Sequence, residues 1–316
     1  MHQADSPEDW ERQRAFLAVL RTGSLSAAAR ELGLAQPTVR RRIEDLEAVT
    51  GAVLFTRSPS GLHPTELAHA LRDHAETMAM AADAFARAAS APPGEIAGTV
   101  RISASEVMAI EVLPTTLAPL LARHDRLAIE LSPTNRQEDV LRRETDIAVR
   151  MVRPEQQALV ARRIGAVPLG VHAHRDYLAR HGMPTGFNSD GGHILIGVEH
   201  ALPILRRLRE EGLDVQREQA RFRCDNDLAH LAAIRAGLGL GICQVPLAAR
   251  DQQLVHLLGD AIRFDLDIWL VYHEDLRPLA RVRAVYDALA DGLSHYIGAP
   301  LQRLAPANWP AASTDD

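Results

Sequence analysis

The sequence predicts an α/β protein in two parts, a small helical N-terminal domain and a larger region of two Rossmann-like α/β subdomains. Residues 24–50 repeat apolar side chains at helical spacing, and a short β-hairpin pattern follows them. Residues 91–94, Ala-Pro-Pro-Gly, end a long helical pattern, because two prolines and a glycine cannot continue a helix. Strand-like and helix-like segments then alternate, which is typical of βαβ units and mainly parallel sheets.

Two short helices joined by a tight turn are predicted between Ser24 and Gly51. Apolar side chains recur at i, i+3, i+4 and i+7 in the first helix, with Ser24 as the N-cap and Gly33 at its end. The second helix begins at Gln36 and Pro37, because the missing N–H of proline costs nothing in a first turn. Its apolar face consists of Val39, Ile43 and Leu46.

The opposite face of this second helix is polar and basic. In the major groove, glutamine can pair with adenine, and arginine can pair with guanine or phosphate. At about 100° per residue, Pro37, Thr38 and Arg41 point away from the apolar face. The alternative is an ordinary three-helix core with a solvated arginine face. We predict base contacts from Gln36, Pro37, Thr38 and Arg41, and phosphate contacts from Arg40, Arg42 and the hairpin residue Arg57.

This stretch resembles the winged helix-turn-helix of LysR-type transcriptional regulators. The residues that carry the resemblance are Ser24, Leu25, Ala28, Ala29, Leu32, Ala35, Gln36, Pro37, Ile43, Leu46, Glu47, Gly51, Leu54, Phe55 and Arg57. Two positions depart from the family pattern. Ala35 replaces a serine that caps the helix and contacts phosphate, and Arg40 replaces another serine and adds charge. The resemblance implies a DNA-binding domain over residues 1–65. The residues themselves predict a disordered tail at residues 1–8 and a first helix at about 9–21.

Composition limits the function classes. The chain has 316 residues, enough for two or three domains with substantial cores. Its net charge of −6 is unusual for a nucleic-acid-binding protein. Residues 21–57, however, hold six arginines against four acidic residues, a local surplus of +2. No signal-peptide pattern and no apolar run of about 18 residues is present, so a cytoplasmic location is expected.

Cysteine, histidine and glycine patterns predict neither a cofactor nor a catalytic site. Cys224 and Cys243 are too few for a disulfide framework, and burial is favoured over a redox pair. The 14 histidines show no metal-ligand spacing, so no metal is predicted. Gly237, Gly239 and Gly241 predict a helix-to-strand turn rather than a phosphate loop, because a helix-like segment precedes them. No catalytic motif is present, and the protein is not expected to be an enzyme.

A long helix is predicted for residues 66–89, with Thr65 as its cap. Its heptad seam contains Leu71, Met78 and Phe85, with Leu67, His74 and Ala81 at the offset positions. Spacing alone allows either a coiled coil between protomers or packing within the chain. In LysR-type regulators the corresponding linker helix dimerises, so the resemblance implies that residues 66–92 join a homodimer or homotetramer.

The region 93–300 contains strand-like segments at residues 99–104, 127–131, 147–149, 169–172, 193–198, 220–223, 241–245 and 267–272. Helix-like segments lie at residues 107–122, 137–143 and 228–235. These predict two subdomains, about 95–167 plus 268–297 and 168–267, joined by two crossovers. This region resembles the effector-binding domain of the same family, a fold shared with periplasmic binding proteins. The residues that carry the resemblance are Asn135, Arg136, Asp139, Arg143, residues 146–150, Ala173, Tyr177, Leu178, Gly182 and residues 236–242. Residues 301–316 are predicted to be a flexible tail.

Ligands of α/β proteins bind at the carboxyl ends of strands, where loops and helix N-termini offer unpaired N–H groups. Six candidate effector-binding residues follow such strand ends: Ser103, Ser105, Asn135, Arg150, Cys224 and Asp225. The two serines suit a carboxylate or other anion. Each of the six could instead be a turn or capping residue without a ligand contact.

The resemblance implies a regulator whose promoter binding is modulated by a small-molecule effector between two α/β lobes. The effector would shift the population between two conformations. Two other classes stay open. A solute-binding protein on the same fold would normally carry an export signal, and a cytosolic enzyme using the cleft would need a catalytic constellation.

Overall fold

The computed structural model describes residues 10–58, 61–92, 94–135, 145–153, 159–187, 192–200, 216–259 and 262–298. These residues form two units, the first ending at Ser90 and the second starting at Ala91. The predicted tails at 1–8 and 301–316 and the helix-like residues 137–143 lie outside the described residues. No helix in the described ranges is long and apolar enough to cross a membrane.

Unit 1 consists of α1 (Trp10–Thr22), α2 (Leu25–Leu32), α3 (Gln36–Thr50), β1 (Phe55–Ser58), β2 (Gly61–Pro64) and α4 (Glu66–Ala88). The helical faces that the spacing predicted to be apolar form its core. Buried members include Phe16, Ala28, Ala29, Val39, Ile43, Leu46 and Leu54. The rings of Phe16 and Phe55 lie 5.7 Å apart, so the hairpin is joined to α1 by an aromatic contact.

The helix ends of unit 1 follow the predicted capping. The Ser24 hydroxyl accepts the N–H of Ala27 at 3.4 Å, and the Thr65 hydroxyl accepts that of Ala68 at 3.3 Å. Gly51 ends α3 with a φ of 66°, in the left-handed region that glycine adopts without strain. Ala35 occupies the N-cap position of α3 and provides no side-chain hydrogen bond, so the predicted loss of a cap is confirmed.

A carboxylate connects α3 to the hairpin. The Glu47 Oε1 atom accepts the backbone N–H of Leu54 at 2.6 Å and that of Phe55 at 3.2 Å. Both amides come just after the end of α3, where the chain turns to enter β1. Hydrogen bonds to an ionised acceptor are stronger than neutral ones. Glu47 therefore fixes the direction in which the hairpin leaves α3.

The long helix α4 has one inward and one outward face. Ala68 and Ala75 are buried in the core of unit 1, and Leu71 is partly buried against the same core. The rest of the predicted seam faces outward. Leu67, Met78 and Phe85 are 40%, 37% and 76% exposed, and His74 and Ala81 are exposed as well. Packing within the chain thus uses a different stripe of α4 from most of the heptad seam.

Unit 2 contains a seven-stranded sheet with the order β10-β6-β11-β5-β3-β4, in which β9 also pairs with β6. Its strands are β3 (Gly98–Ala104), β4 (Leu127–Pro133), β5 (Ile147–Arg150), β6 (Leu159–His174), β9 (Gly241–Gln244), β10 (Leu254–Leu257) and β11 (Arg263–His273). A second, two-stranded sheet pairs β7 (Leu195–Gly197) with β8 (Ala220–Arg223). The two long strands β6 and β11 are the two predicted crossovers.

The helical segments of unit 2 cover this sheet. Among the described residues they are a π-helical turn at Met108–Val112, α5 (Leu113–Leu121), α6 (Arg175–His181), α7 (Asp227–Arg235), α8 (Val245–Ala248) and α9 (Ala280–Gly298), with short 3-10 helices at Arg217–Gln219 and Glu274–Leu276. We call β3, β4, β5, α5 and α9 lobe I, and β7 to β10 with α6 to α8 lobe II. The π-helical turn and the residues just before it belong to lobe I, whereas β6 and β11 run through both lobes.

The prediction of mainly parallel sheets is wrong. β3 pairs in parallel with β4 and β5, and β7 with β8. β6, however, is antiparallel to β9, β10 and β11, and β11 is antiparallel to β5. The reason is the chain path, because the two crossovers are themselves long strands that run in opposite directions. The start of β6 at Leu159 and the short strand β10 also escaped prediction.

The glycine-rich segment after α7 is a helix-to-strand turn, as predicted. Gly237 has a φ of 68°, which allows the chain to leave α7 and enter β9. A Cβ atom at Gly239 would lie 2.2 Å from the carbonyl oxygen of Ile194. These glycines therefore serve a turn and a close backbone approach within lobe II.

Leu54→Ala should destabilise unit 1, because the Leu54 side chain is fully buried (0% exposed) whereas Val53 next to it is 60% exposed. Removing a buried leucine costs about 2–5 kcal/mol, and an exposed substitution changes the free energy of unfolding by about 0.5 kcal/mol or less. Hydrogen exchange of the α1 and α3 amides under increasing urea measures the stability of unit 1. Equal effects of Leu54→Ala and the control Val53→Ala would contradict this packing.

Ala35→Ser should stabilise α3. The N-cap backbone is already extended (φ −73°, ψ 142°), so a serine hydroxyl can accept a first-turn N–H without rearrangement. Such a cap contributes about 0.5–2 kcal/mol. The same hydrogen-exchange measurement applies. Ala48→Ser, at an exposed position inside α3, is the control and should be neutral or slightly destabilising. A loss of stability in Ala35→Ser would show that the N-cap is not available.

Candidate functional site

The N-terminal half of α3 presents an exposed and mainly polar surface. Gln36, Pro37, Thr38, Arg40 and Arg41 are all exposed. On the other side of the helix, the apolar residues are buried in the core of unit 1. The helix is therefore held rigidly from behind, and its polar side chains are free to approach a ligand. The predicted orientation of Thr38 and Arg41 agrees with this placement.

The arginines of unit 1 differ in their surroundings. Arg41 is 83% exposed and lies 3.8 Å from Asp45, an i,i+4 surface pair of little energetic weight. Arg42 is only 22% exposed, and its guanidinium lies 2.8 Å from the carboxylate of Glu11 in α1. Its Nη1 atom is buried and has no hydrogen-bond partner among the described residues. Arg42 thus holds α3 against α1, whereas Arg57 is exposed on β1.

In lobe I the structure brings two predicted residues into contact. Ser103 lies near the carboxyl end of β3 and is fully buried. Arg150 ends the neighbouring strand β5, and its Nη1 and Nη2 atoms both donate to the Ser103 hydroxyl at 3.1 Å. The parallel pairing of β3 with β5 produces this contact, because it places both strand ends at the same sheet edge. A guanidinium beside a hydroxyl can bind a carboxylate.

Asn135 and Ser105 shape the start of the first helical segment of lobe I. The Asn135 Oδ1 atom accepts the backbone N–H of Glu106 at 3.1 Å, and the Ser105 carbonyl accepts that of Ala109 at 2.8 Å. Asn135 therefore caps a helix that begins on a neighbouring strand end. The sequence allowed Asn135 to be either a ligand contact or a capping residue, and the structure shows a capping contact.

Asp225 and Cys224 follow β8 in lobe II. The Asp225 carboxylate accepts the backbone N–H groups of Glu199 and His200, both at 2.8 Å, and lies 3.0 Å from the imidazole Nδ1 of His200. It thereby connects the loops after β7 and β8. Cys224 is partly buried, and its Sγ accepts the N–H of Asn226 at 3.4 Å.

Two residues next to the predicted ones connect the lobes, and sequence reasoning missed both. The Nδ2 atom of Asn226 donates to Oε2 of Glu106 at 2.6 Å. Glu106 follows Ser105 in lobe I, and Asn226 follows Asp225 in lobe II. The sequence offered one indication of their role, because each directly follows a predicted site residue. A direct hydrogen bond thus joins the lobes at positions that are sequence neighbours of predicted residues in both.

A second polar connection lies farther along the same helical segment. Arg235 at the end of α7 donates to both carboxylate oxygens of Glu111, at 2.8 and 3.0 Å. These hydrogen bonds hold the pKa of the Glu111 carboxyl below its usual value, although partial burial opposes them. Near the other connection, burial raises the pKa of Asp227, and the Glu106 carboxylate adds to this rise against the effect of His230. The two ends of α7 therefore have different electrostatic surroundings.

The Cys243 side chain of lobe II is partly buried, and its thiol resists ionisation. Burial raises the pKa of Cys243 to about 12, and the charge of Arg235 acts in the opposite direction. Its Sγ lies 3.3 Å from Nδ1 of His172, whose pKa burial and the neighbouring His256 lower to about 3. Because the thiolate is the reactive form, this environment favours the predicted role of Cys243 as a core residue.

One exposed group in the described part of the chain could hold a metal ion. Glu199, His200 and Asp225 offer ligand atoms that lie within 4.8 Å of one another. The Asp225 carboxylate, however, already accepts two backbone N–H groups. The hydrogen bonds of this group join the loops after β7 and β8, which accounts for the position of the Asp225 carboxylate without a metal ion.

Family models match both units of the chain. Residues 10–69 match the model described as bacterial regulatory helix-turn-helix protein, lysR family. Residues 93–294 match the model described as LysR substrate binding domain. Among curated proteins, the Mau operon transcriptional activator of Paracoccus denitrificans is 28% identical over 282 residues, which cover 86% of this chain and 93% of that protein.

Solved structures show the same fold. Full-length CbnR complexed with its target DNA has a TM-score of 0.65 at 19% identity, covering 89% of this chain and 99% of that one. The Vibrio cholerae virulence activator AphB has a TM-score of 0.58 at 22% identity, covering 89% of this chain and 98% of that one. The matched model over residues 93–294 spans more than half of the sequence. The chain therefore belongs to the LysR-type transcriptional regulators, with a helix-turn-helix DNA-binding domain and an effector-binding domain of two α/β lobes.

Proposed function

We propose that this LysR-type regulator acts in the cytoplasm as a homodimer or homotetramer and reads a roughly palindromic promoter site with two copies of α3. Residues 1–65 bind DNA, residues 66–92 join the protomers, and residues 93–300 bind the effector between subdomains 95–167 plus 268–297 and 168–267. The observation that carries the proposal is the exposed polar face of α3 on a fully buried apolar base. Two recognition helices in a dimer favour two half-sites.

The side chains of α3 and the hairpin make two kinds of contact with DNA, to base edges and to phosphates. Gln36, Pro37, Thr38 and Arg41 lie at the exposed start of the helix, where a recognition helix reaches base edges. Arg40 and Arg57 are exposed at its flank and on β1, and we assign them to phosphates. Arg42 is tied to Glu11, so its main contribution is to orient α3, with a phosphate contact secondary.

The exposed seam of α4 supports self-association. Phe85 is 76% exposed, and Leu67 and Met78 are 40% and 37% exposed on the same helix. Large apolar side chains repeated on one stripe of a surface helix favour a partner helix, because burial removes them from water. A second copy of α4 provides a matching stripe. The seam is short, so the dimer gains further contacts elsewhere.

The effector proposal rests on the polar groups at the strand ends. Ser103 and Arg150 form a hydroxyl–guanidinium pair in lobe I, which suits a carboxylate or another anion. Ser105, Asn135, Cys224 and Asp225 line the same region on loops that their own hydrogen bonds keep in place. We infer that the effector is a small anionic molecule. Its binding changes the relative populations of lobe arrangements.

Footprinting on the intergenic region upstream of the protein's own gene tests the DNA-binding proposal. A protected, roughly dyadic site whose occupancy falls with salt is expected, because phosphate contacts release counterions. Arg41→Ala should weaken binding to this site by about 1–3 kcal/mol in a gel-shift titration, and Arg41→Lys should recover charge but little specificity. Arg40→Ala should weaken specific and non-specific binding alike. Unchanged affinity in Arg41→Ala would show that the proposed orientation of α3 on DNA is wrong.

Phe85→Glu should weaken self-association without unfolding the chain, because the side chain is already 76% exposed. A charge in an apolar helix seam opposes dimerisation. Sedimentation velocity over a concentration series measures the change. Ala86→Glu introduces the same charge at the next exposed position, outside the seam, and should leave the sedimentation coefficient unchanged. If both variants behave like the parent, α4 does not form the dimer seam.

A further inference from the structure

Two side chains of the first helical segment in lobe I contact the two ends of α7 in lobe II. At one end, Glu106 accepts a hydrogen bond from Asn226 at 2.6 Å. At the other end, Glu111 forms a two-point ion pair with Arg235 at 2.8 and 3.0 Å. Asn226 is the N-cap of α7, and Arg235 is its last residue. The two contacts are therefore separated by the full length of α7.

The π-helical turn explains how one helix makes both contacts. Residues five apart on an α-helix, such as 106 and 111, point about 140° away from each other at 100° per residue. In the structure the N–H of Leu113 bonds to the carbonyl of Met108, an i→i+5 pattern over Met108–Val112. This wider turn rotates Glu111 towards the side that Glu106 faces. Both carboxylates thus reach α7.

The contact at Glu111 is the stronger of the two. The ion pair is bidentate, and Arg250 of lobe II also donates to the Glu111 carbonyl at 2.9 Å. Behind it, the fully buried Met108 belongs to an apolar cluster that includes Leu231 and Leu247 of lobe II. Bidentate charge pairs and shared apolar packing resist separation together.

The contact at Glu106 is weaker. It lies next to the strand ends that carry Ser105 and Cys224, in the region between the lobes that we call the candidate cleft. It is one hydrogen bond between a carboxylate and an amide. The next residue, Asp227, brings a second carboxylate close to Glu106, and like charges oppose the approach of the lobes. Ser105 precedes Glu106 and Cys224 lies two residues before Asn226, so the bond spans the two sets of predicted effector residues.

We infer that the lobes are joined by a pivot and a latch: Glu111 with Arg235 forms the pivot, and Glu106 with Asn226 forms a latch that opens or closes the cleft. The latch is released without breaking the pivot, so the lobes rotate about the distal end of α7. The inference deepens the proposed function, because a ligand between Ser103 and Asp225 must rearrange the latch. Glu106 and Asn226 are thus positioning residues for the response to the effector.

Asn226→Asp tests the latch selectively. Aspartate caps a helix as well as asparagine does, so the bond to the N–H of Ala229 survives. The donor to Glu106 is replaced by a carboxylate oxygen, which repels Glu106. Hydrogen exchange of the full-length chain without ligand should become about tenfold faster at residues 105–108 and 226–230, with little change at 232–236.

The double variant Glu106→Gln/Asn226→Asp restores the bond with donor and acceptor exchanged. Exchange at residues 105–108 and 226–230 should return to the parent rates, which a pure capping role of Asn226 does not predict. Glu111→Gln weakens the pivot and should accelerate exchange at both ends of α7. The inference is overturned if Asn226→Asp changes nothing, if it accelerates both ends equally, or if the double variant does not restore the parent rates.

A gel shift on the upstream intergenic fragment separates this inference from the proposed function. Both Asn226→Asp and the double variant leave α3 unaltered, so each should retain salt-sensitive DNA binding. If the parent chain does not shift the fragment, promoter binding is contradicted while the exchange result stays valid. Selective opening at the cleft end, restored by the exchanged pair, supports the latch in either case.

Discussion

The antiparallel pairing of β6 with β11 is the constraint on which unit 2 depends. The two strands pair from Leu159 with His273 to Gly170 with Arg263, and each strand has one half in each lobe. A register shift between Ile268 and Trp269 marks the passage between the lobes, where a bulge bends and twists a strand. Gly165 lies at the same level, and a Cβ there would meet Ile297 at 2.2 Å. The lobes therefore cannot move independently of the strands they share.

This shared sheet determines how the candidate cleft is built. The parallel neighbours β3 and β5 bring Ser103 and Arg150 together, and the loops after β7 and β8 are joined by the Asp225 carboxylate. Most polar groups of the cleft are already hydrogen-bonded within the chain. An incoming effector must replace any bond that it breaks, because an unsatisfied buried polar group costs free energy. The bond between Glu106 and Asn226 connects the two lobes directly, next to the predicted effector residues.

In unit 1 the packing holds the backbone of α3 rigid while its polar side chains stay exposed. The buried face of α3, the carboxylate of Glu47 and the ion pair of Arg42 with Glu11 fix the helix against α1 and the hairpin. The backbone at the start of α3 is thereby held in place, so its exposed side chains can be long and mobile without moving the helix. Ala35 weakens this arrangement at one point, since the first turn of α3 has no side-chain cap.

The sequence by itself determined the local structure of unit 1 and the positions of most strands in unit 2. Helical periodicity and capping residues act over a few positions, so Ser24, Gly51 and Thr65 mark helix ends with no knowledge of the fold. Strand ends likewise pointed to Ser103 and Arg150. Only the tertiary structure decided the antiparallel direction of β6 and β11, the pairing of Arg42 with Glu11, and the bond between Glu106 and Asn226. These features depend on which distant segments the chain path brings together. The sequence around a polar residue does not identify the distant residue with which it forms a hydrogen bond.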